Sequence, residues 1–328
     1  MKIAIVGCGA VGSYYGALLA RAGQDVHFLL RSDYAAVQRH GVAVQSPAGD
    51  FVARPHCART PGEIGACAAV FVALKTTAND QFPALLPPLV APHTMVVTLQ
   101  NGLGNEEQLA RLLPPTQILG GLCFVCLNRI APGVIRHQDH GRVIFGEFQR
   151  GAEPRTHALA TMFQHAGVPA EVTQDLARAH WEKLVWNVPF NGLGVASAAG
   201  YDALFAQPAA LNPQLPFGPC LTTDKLLADA RWESLVRELM HEIIAAANAL
   251  GHNLEPALAD KMIERTRTMG AYQASTLLDF ELARPLELAS LFVEPLRQAQ
   301  LAGVATPRLA ALCALLPQLV TARRAERQ

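Results

Sequence analysis

Lys2-Ile3-Ala4-Ile5-Val6-Gly7-Cys8-Gly9-Ala10-Val11-Gly12 stands near the start of the chain, followed by a helix-forming stretch from Ser13 to Ala22 and then Gly23. Ile3 to Val6 is a short unbroken apolar run, the pattern of a strand buried on both faces. The glycines at 7, 9 and 12 complete G-x-G-x-x-G between that strand and the helix, the setting in which the pattern binds dinucleotides. In such a turn Gly7 permits the tight reversal, Gly9 lets the backbone approach a pyrophosphate, and Gly12 allows helix and strand to pack closely. Ala10 and Val11 open the helix, whose first N–H groups and positive dipole end suit a phosphate. Gly23 stops the helix. Asp25 to Leu30 then reads as a second strand, completing a βαβ unit.

The second strand ends in Arg31-Ser32. NAD-binding folds place an acidic residue roughly 20 residues past the glycines, where it holds the ribose 2′-hydroxyl. An arginine in that place pairs instead with a 2′-phosphate, so Arg31 favours NADPH over NADH. The alternative acidic ribose partner is Asp33, two residues beyond Arg31. Two further apolar runs end in Leu74-Lys75-Thr76 and in Gln100-Asn101-Gly102. Open α/β sheets bind ligands at the carboxyl ends of their strands, which makes Lys75 and Asn101 candidates. Taken singly, each also reads as an ordinary loop or turn residue.

Working outward, residues 42–58 read as a hairpin or extra strand pair. Strands are expected over 68–74, 94–99 and 118–127, with two short ones within 134–147. Helices are expected over 81–90, interrupted by Pro83, Pro87 and Pro88, and over 105–113. Past about residue 173 strand signals cease, and residues 175–198, 232–250, 255–268, 285–302 and 307–323 look helical. The expectation is an α/β Rossmann domain over 1–173, with a mostly parallel, doubly wound sheet, and an all-α domain over 174–328. Residues 206–224, with four prolines, read as a long loop.

Composition agrees with this division. A chain of 328 residues that is 51% apolar has room for two cores. A net charge of zero, with no basic stripe, excludes a nucleic-acid-binding surface. No apolar run has the length of a membrane span, and no secretory leader fits ahead of Ile3. The seven cysteines, an odd number, read as reduced thiols. A cytoplasmic protein without membrane or nucleic-acid partners is expected, and a homodimer is left open.

Trp181-Glu182-Lys183-Leu184-Val185-Trp186-Asn187-Val188-Pro189-Phe190-Asn191-Gly192 carries a second signal. Lys183, Asn187 and Asn191 are four residues apart, hence on one helix face. Such a stripe amid large apolar residues cannot sit against a dry core without partners, but it can line a wet cleft facing a polar ligand. A solvent-facing stripe is the plainer alternative. Pro189 is expected to kink the helix. Ser275, Asp279, Arg284 and Glu287 form a third polar group, with Glu287 near a helix start. Spacing alone assigns them no chemistry.

Together these motifs resemble the ketopantoate reductase family, and the resemblance spans nearly the whole chain. It rests on the opening glycines with Arg31, Leu74-Lys75, Gln100-Asn101-Gly102, Lys183-Leu184 with Asn187 and Asn191, Ser275, Asp279, Glu287, and Gly303-Val304-Ala305-Thr306-Pro307. The resemblance implies reduction of a small 2-oxo acid, ketopantoate, by NADPH on the route to coenzyme A. By that likeness Lys183 is the general acid and Glu287 its acidic partner. Asn187 and Asn191 hold the hydroxyl end of the substrate. Ser275 and Asn101 bind its carboxylate side, with Asn101 also touching the cofactor. Lys75 lies near the cofactor, which the loop Gly7, Gly9, Ala10, Val11 and Gly12 holds with Arg31. The 206–224 segment is longer than the family's usual connection, which motivates a different 2-oxo acid or an opine-type substrate as the neighbouring reading. A non-catalytic NADP-binding regulator is the reading from another class.

Cys123-x-x-Cys126 with His137 and His140 suggests zinc only superficially. On a strand, residues three apart point to opposite faces, so no metal site is expected. Trp181 and Trp186 read as helix packing.

Overall fold

The computed structural model describes residues 1–206 and 217–326. The chain divides into two compact units, Met1–Ala177 and Arg178–Gln328.

The first unit is a ten-stranded, mostly parallel sheet. Its strands are β1 (Lys2–Val6), β2 (Asp25–Leu29), β3 (Val42–Gln45), β4 (Phe51–Ala53), β5 (His56–Ala58), β6 (Ala69–Val72), β7 (Met95–Thr98), β8 (Ile118–Ala131), β9 (Val134–Glu147) and β10 (Ala170–Val172). The order β4-β3-β9-β8-β7-β6-β1-β2-β5, with β10 beside β9, contains the Rossmann sequence of strands outward from β1. Burial on both faces explains the unbroken apolar runs. Ile3 and Ile5 point into one core layer with Tyr15, Phe28, Phe71 and Phe163. Ala4 and Val6 point into the opposite layer with Val70, Val72 and Leu86. The sheet reverses direction of connection between β1 and β6, where such folds form a ligand crevice.

One expectation is corrected here. Residues 134–147 are not two short strands but a single one, antiparallel to β8 along its length. The positive-φ step His140–Gly141 is absorbed as a bulge. Phe124 pairs with Arg142 and Val125 with His140, so Gly141 is left over.

The β8–β9 turn is Pro132-Gly133, with Gly133 at φ +69°, the pairing favoured in a type II turn. It is tied to the end of β2 by Asp33. The buried Asp33 carboxylate accepts from Arg129 Nε at 2.7 Å, from a second Arg129 nitrogen, from the Gly133 N–H at 3.1 Å and from Ser32 Oγ at 2.9 Å. Burial alone would raise the Asp33 pKa, but Arg129, Gly133 and Ser32 outweigh it and hold the carboxyl below its ordinary value.

The second unit is helical among its described residues. Its elements are Leu176–Ala196, Thr223–Ala228, Ala230–Ala249, Leu258–Arg267, Ser275–Glu281, a wide π turn Ala289–Val293 continuing as Glu294–Leu301, and Pro307–Glu326. Of the loop expected over 206–224, residues 207–216 lie outside the described residues. The chain is already helical at Thr223, sooner than the proline-rich reading allowed. Glu242 fixes one packing by accepting from the N–H groups of Arg308 and Leu309, both at 2.9 Å, which caps the last helix. No helix among the described residues is long and apolar enough to cross a membrane.

The Asp33–Arg129 pair gives a pH signature. A carboxyl with a depressed folded pKa contributes stability above its unfolded pKa and loses it as pH falls through the folded value. Arg129→Ala is expected to cost about 2 kcal/mol at neutral pH, between exposed and buried pairs because Arg129 is about one-third exposed. In urea unfolding the gap from wild type should narrow as pH drops below about 4. A gap constant with pH would show that the carboxylate's charge is not what Arg129 supports.

Candidate functional site

The glycine loop follows β1 and presses against the chain leaving β6. A Cβ on Gly7, whose φ is +102°, would lie 2.2 Å from Leu74 N and 2.4 Å from Ala73 C. One on Gly12 would lie 2.3 Å from the Gly7 carbonyl oxygen and 3.1 Å from Ala73 Cβ. Both glycines are therefore fixed by packing. Gly9 is different. Its φ of −77° suits any residue, and a Cβ there would meet nothing within 4 Å. The chain leaves open space above Gly9, at the start of the helix Ala10–Arg21, and no side chain caps that helix. Its first-turn N–H groups have no acceptor within the helix. Cys8 points the other way, toward the carbonyls of Ile5 and Leu29. Burial pushes its thiol well up, so no negative charge arises there to repel a phosphate.

Arg31 is exposed just past β2. Asp33, the alternative ribose partner, is turned into its ion pair with Arg129. That arrangement commits the carboxylate and leaves Arg31 as the exposed charged side chain immediately past the strand end.

The loops carrying Lys75 and Asn101 are stitched together by buried amides, of which the sequence reading quoted Gln100 but gave Asn79 and Asn105 no part. Gln100 Nε2 donates to the Leu74 carbonyl at 2.9 Å and to Asn79 Oδ1 at 2.7 Å. Asn79 Nδ2 donates to Asn105 Oδ1 at 3.1 Å, and Asn105 Nδ2 to the Asn101 carbonyl at 3.1 Å. Thr98 Oγ1 donates to Gln100 Oε1 at 3.0 Å. Gln100, Asn79 and Asn105 are all buried, and a buried amide without partners is costly. The network thus fixes both loops at the carboxyl ends of β6 and β7. Lys75 is exposed and Asn101 half-buried. Gln100 was legible as part of a motif, but Asn79 and Asn105 carry no local signal.

In the helical unit, Leu176–Ala196 holds Lys183 half-buried and Asn187 and Asn191 buried on one face. Asn191 does more than line that face. Its Oδ1 accepts from the Thr276 N–H at 3.0 Å and from Ser275 Oγ at 3.3 Å, while its Nδ2 donates to the Asn187 carbonyl at 2.9 Å. It therefore pins the first turn of Ser275–Glu281 to the long helix. Two glycines let neighbours come close. A Cβ on Gly194 would stand 3.2 Å from Leu277, and one on Gly192 2.9 Å from Phe292 and 2.6 Å from Leu312. Phe292 belongs to the π turn that begins just after Glu287, whose carbonyl accepts from Leu291 N at 3.2 Å. A π turn often marks a functional segment. Glu287 itself is half-buried and Ser275 exposed, whereas Asp279 is buried. Trp181 is buried and Trp186 donates to Thr266 Oγ1 at 2.9 Å, which makes both packing residues.

Comparison with known proteins bears on this arrangement. Residues 3–150 match the family model described as ketopantoate reductase PanE/ApbA, and residues 219–320 match its C-terminal counterpart. A Nostoc 2-dehydropantoate 2-reductase is 40% identical over 314 residues, covering 94% of this chain and 92% of its own. The crystal structure of 2-dehydropantoate 2-reductase from Geobacter metallireducens GS-15 superposes with a TM-score of 0.87 at 45% identity, covering 97% of this chain and 99% of the other. That from Methylococcus capsulatus gives 0.86 at 33% identity, with 98% of each chain covered.

Proposed function

The chain belongs to the ketopantoate reductase family, and from that premise we propose that it reduces 2-dehydropantoate to pantoate with NADPH. It is in this reading an oxidoreductase acting on a CH–OH group, on the route to pantothenate and coenzyme A. The observation that carries the reading is likeness along almost the full length to the Nostoc and Geobacter proteins of that name.

The residues present fit a dinucleotide. The space over Gly9, the uncapped helix start and the exposed Arg31 suit a pyrophosphate and a 2′-phosphate respectively. Gly7, Gly9, Ala10, Val11 and Gly12 form the phosphate loop in this proposal. Arg31 reads the 2′-phosphate, and Lys75 and Asn101 approach the cofactor from loops held by the amide network. NADPH, when bound, supplies the hydride.

Negative charge grows on the substrate's carbonyl oxygen as a ketone is reduced. Lys183 is assigned to hold a proton at Nζ and give it to that oxygen. Glu287 is assigned to the ammonium as its acidic partner. Asn187 and Ser275 bind the hydroxyl end and the carboxylate side, with Asn101 also on the carboxylate side. Asn191 has three of its four hydrogen-bonding positions in use within the protein. Its remaining N–H is assigned to the substrate hydroxyl, and its carbonyl to positioning Ser275.

Two measurements test this. NADPH oxidation, followed by absorbance with ketopantoate and a panel of other 2-oxo acids, should give the highest kcat/KM for ketopantoate; a rate near background would overturn the substrate assignment. Under the same assay Lys183→Ala should lower kcat by roughly 10²–10⁴-fold with NADPH affinity nearly unchanged, and surviving turnover would remove Lys183 as the acid. Cofactor choice is read separately. Arg31→Ala should weaken NADPH about tenfold or more, the worth of a charge-assisted phosphate contact, and leave NADH almost unaffected. Equal losses would show that Arg31 does not read the 2′-phosphate.

A further inference from the structure

At the end of β2 away from Arg31, three side chains with metal-binding atoms meet on one face of the sheet. Asp25 and His27 are two residues apart on β2, hence on the same face. His56 on β5 is the register partner of His27 across a parallel pair. His27 Nε2 lies 2.9 Å and His56 Nε2 3.5 Å from the same Asp25 Oδ1. The two rings stack with centroids 4.7 Å apart, and one ligand atom from each residue lies within 4.8 Å of the others.

We propose that Asp25, His27 and His56 form a binding site for a divalent cation of the zinc class. Four-coordinate zinc with bonds of about 2.0–2.1 Å separates neighbouring ligand atoms by roughly 3.3 Å. The two nitrogen–oxygen separations here bracket that spacing. Two imidazoles and a carboxylate are a donor set suited to zinc and its first-row neighbours rather than to magnesium or calcium. Two of the three ligands, Asp25 and His56, are exposed, which leaves the remaining coordination position to water. The nearby cation is Lys2, whose ammonium is engaged by the Ile64 carbonyl.

The cluster is assembled by strand register, so the sequence expectation of no metal, drawn from Cys123 and Cys126, did not reach it. β5 is a short strand at one edge of the sheet, and a cation here clamps that edge to β2. Asp25 is six residues from Arg31, about 20 Å of extended chain. The clamp is therefore separate from the cofactor loop.

The test is calorimetric titration of the chelator-treated full chain with Zn²⁺ alone. One Zn²⁺ per chain is expected, weakened at least tenfold in His56→Ala and in Asp25→Asn. Both positions are exposed, so these variants should fold, and both should oxidise NADPH at the wild-type rate. Absence of saturable binding in the wild type would overturn the proposal. So would undiminished affinity in His56→Ala, the result expected if cysteines were the ligands.

Discussion

The first unit depends on a backbone-to-backbone contact that tolerates no side chain. Gly12 brings the first helix so close to the Gly7 carbonyl, and Gly7 so close to the chain leaving β6, that a single Cβ at either position would overlap main-chain atoms. Main chain cannot swing aside as a side chain can. The contact thereby sets where the helix begins, the direction in which its N–H groups point and the distance between the β1 and β6 loops. Gly9 lies in the same turn and takes part in none of this. A Cβ there would meet nothing within 4 Å, so no packing within the chain calls for a glycine, and in the proposed function that space belongs to the nucleotide.

The helical unit uses the same device with different chemistry. Gly192 and Gly194 let Phe292 and Leu277 approach the long helix, and Asn191 between Thr276 and Asn187 turns that proximity into a defined register. The side chains assigned to substrate are thus carried on elements locked by small residues and by satisfied buried amides. In the sheet unit Gln100, Asn79 and Asn105 have the corresponding role for the loops of Lys75 and Asn101. A buried amide network fixes geometry because each broken link strands a polar group away from water.

What the sequence made legible follows from range. The glycine loop, the strand-end arginine and the stripe of Lys183, Asn187 and Asn191 are local patterns, and local periodicity reports them. The apolar runs reported the sheet because its parallel strands are buried on both sides. Asp33 and Arg129 are 96 positions apart, and nothing near either residue announces the other, so Asp33 stayed open as a ribose ligand until the fold showed its partner. The segment 134–147 read as two short strands because a bulge such as the one at Gly141 is defined by cross-strand pairing rather than by local pattern. The π turn after Glu287 and the Asp25–His27–His56 group likewise arise from tertiary packing and strand register, which no short window of sequence contains.

The central claim is that Gly7 and Gly12 are glycines for the protein and Gly9 for the nucleotide. Comparing Gly9→Ala with Gly12→Ala, by urea unfolding and by NADPH titration of the same preparations, tests it most directly. The account predicts that Gly9→Ala unfolds at the wild-type midpoint yet binds NADPH far more weakly, whereas Gly12→Ala loses both stability and binding. Wild-type NADPH affinity in Gly9→Ala, or an undisturbed midpoint in Gly12→Ala, would contradict it.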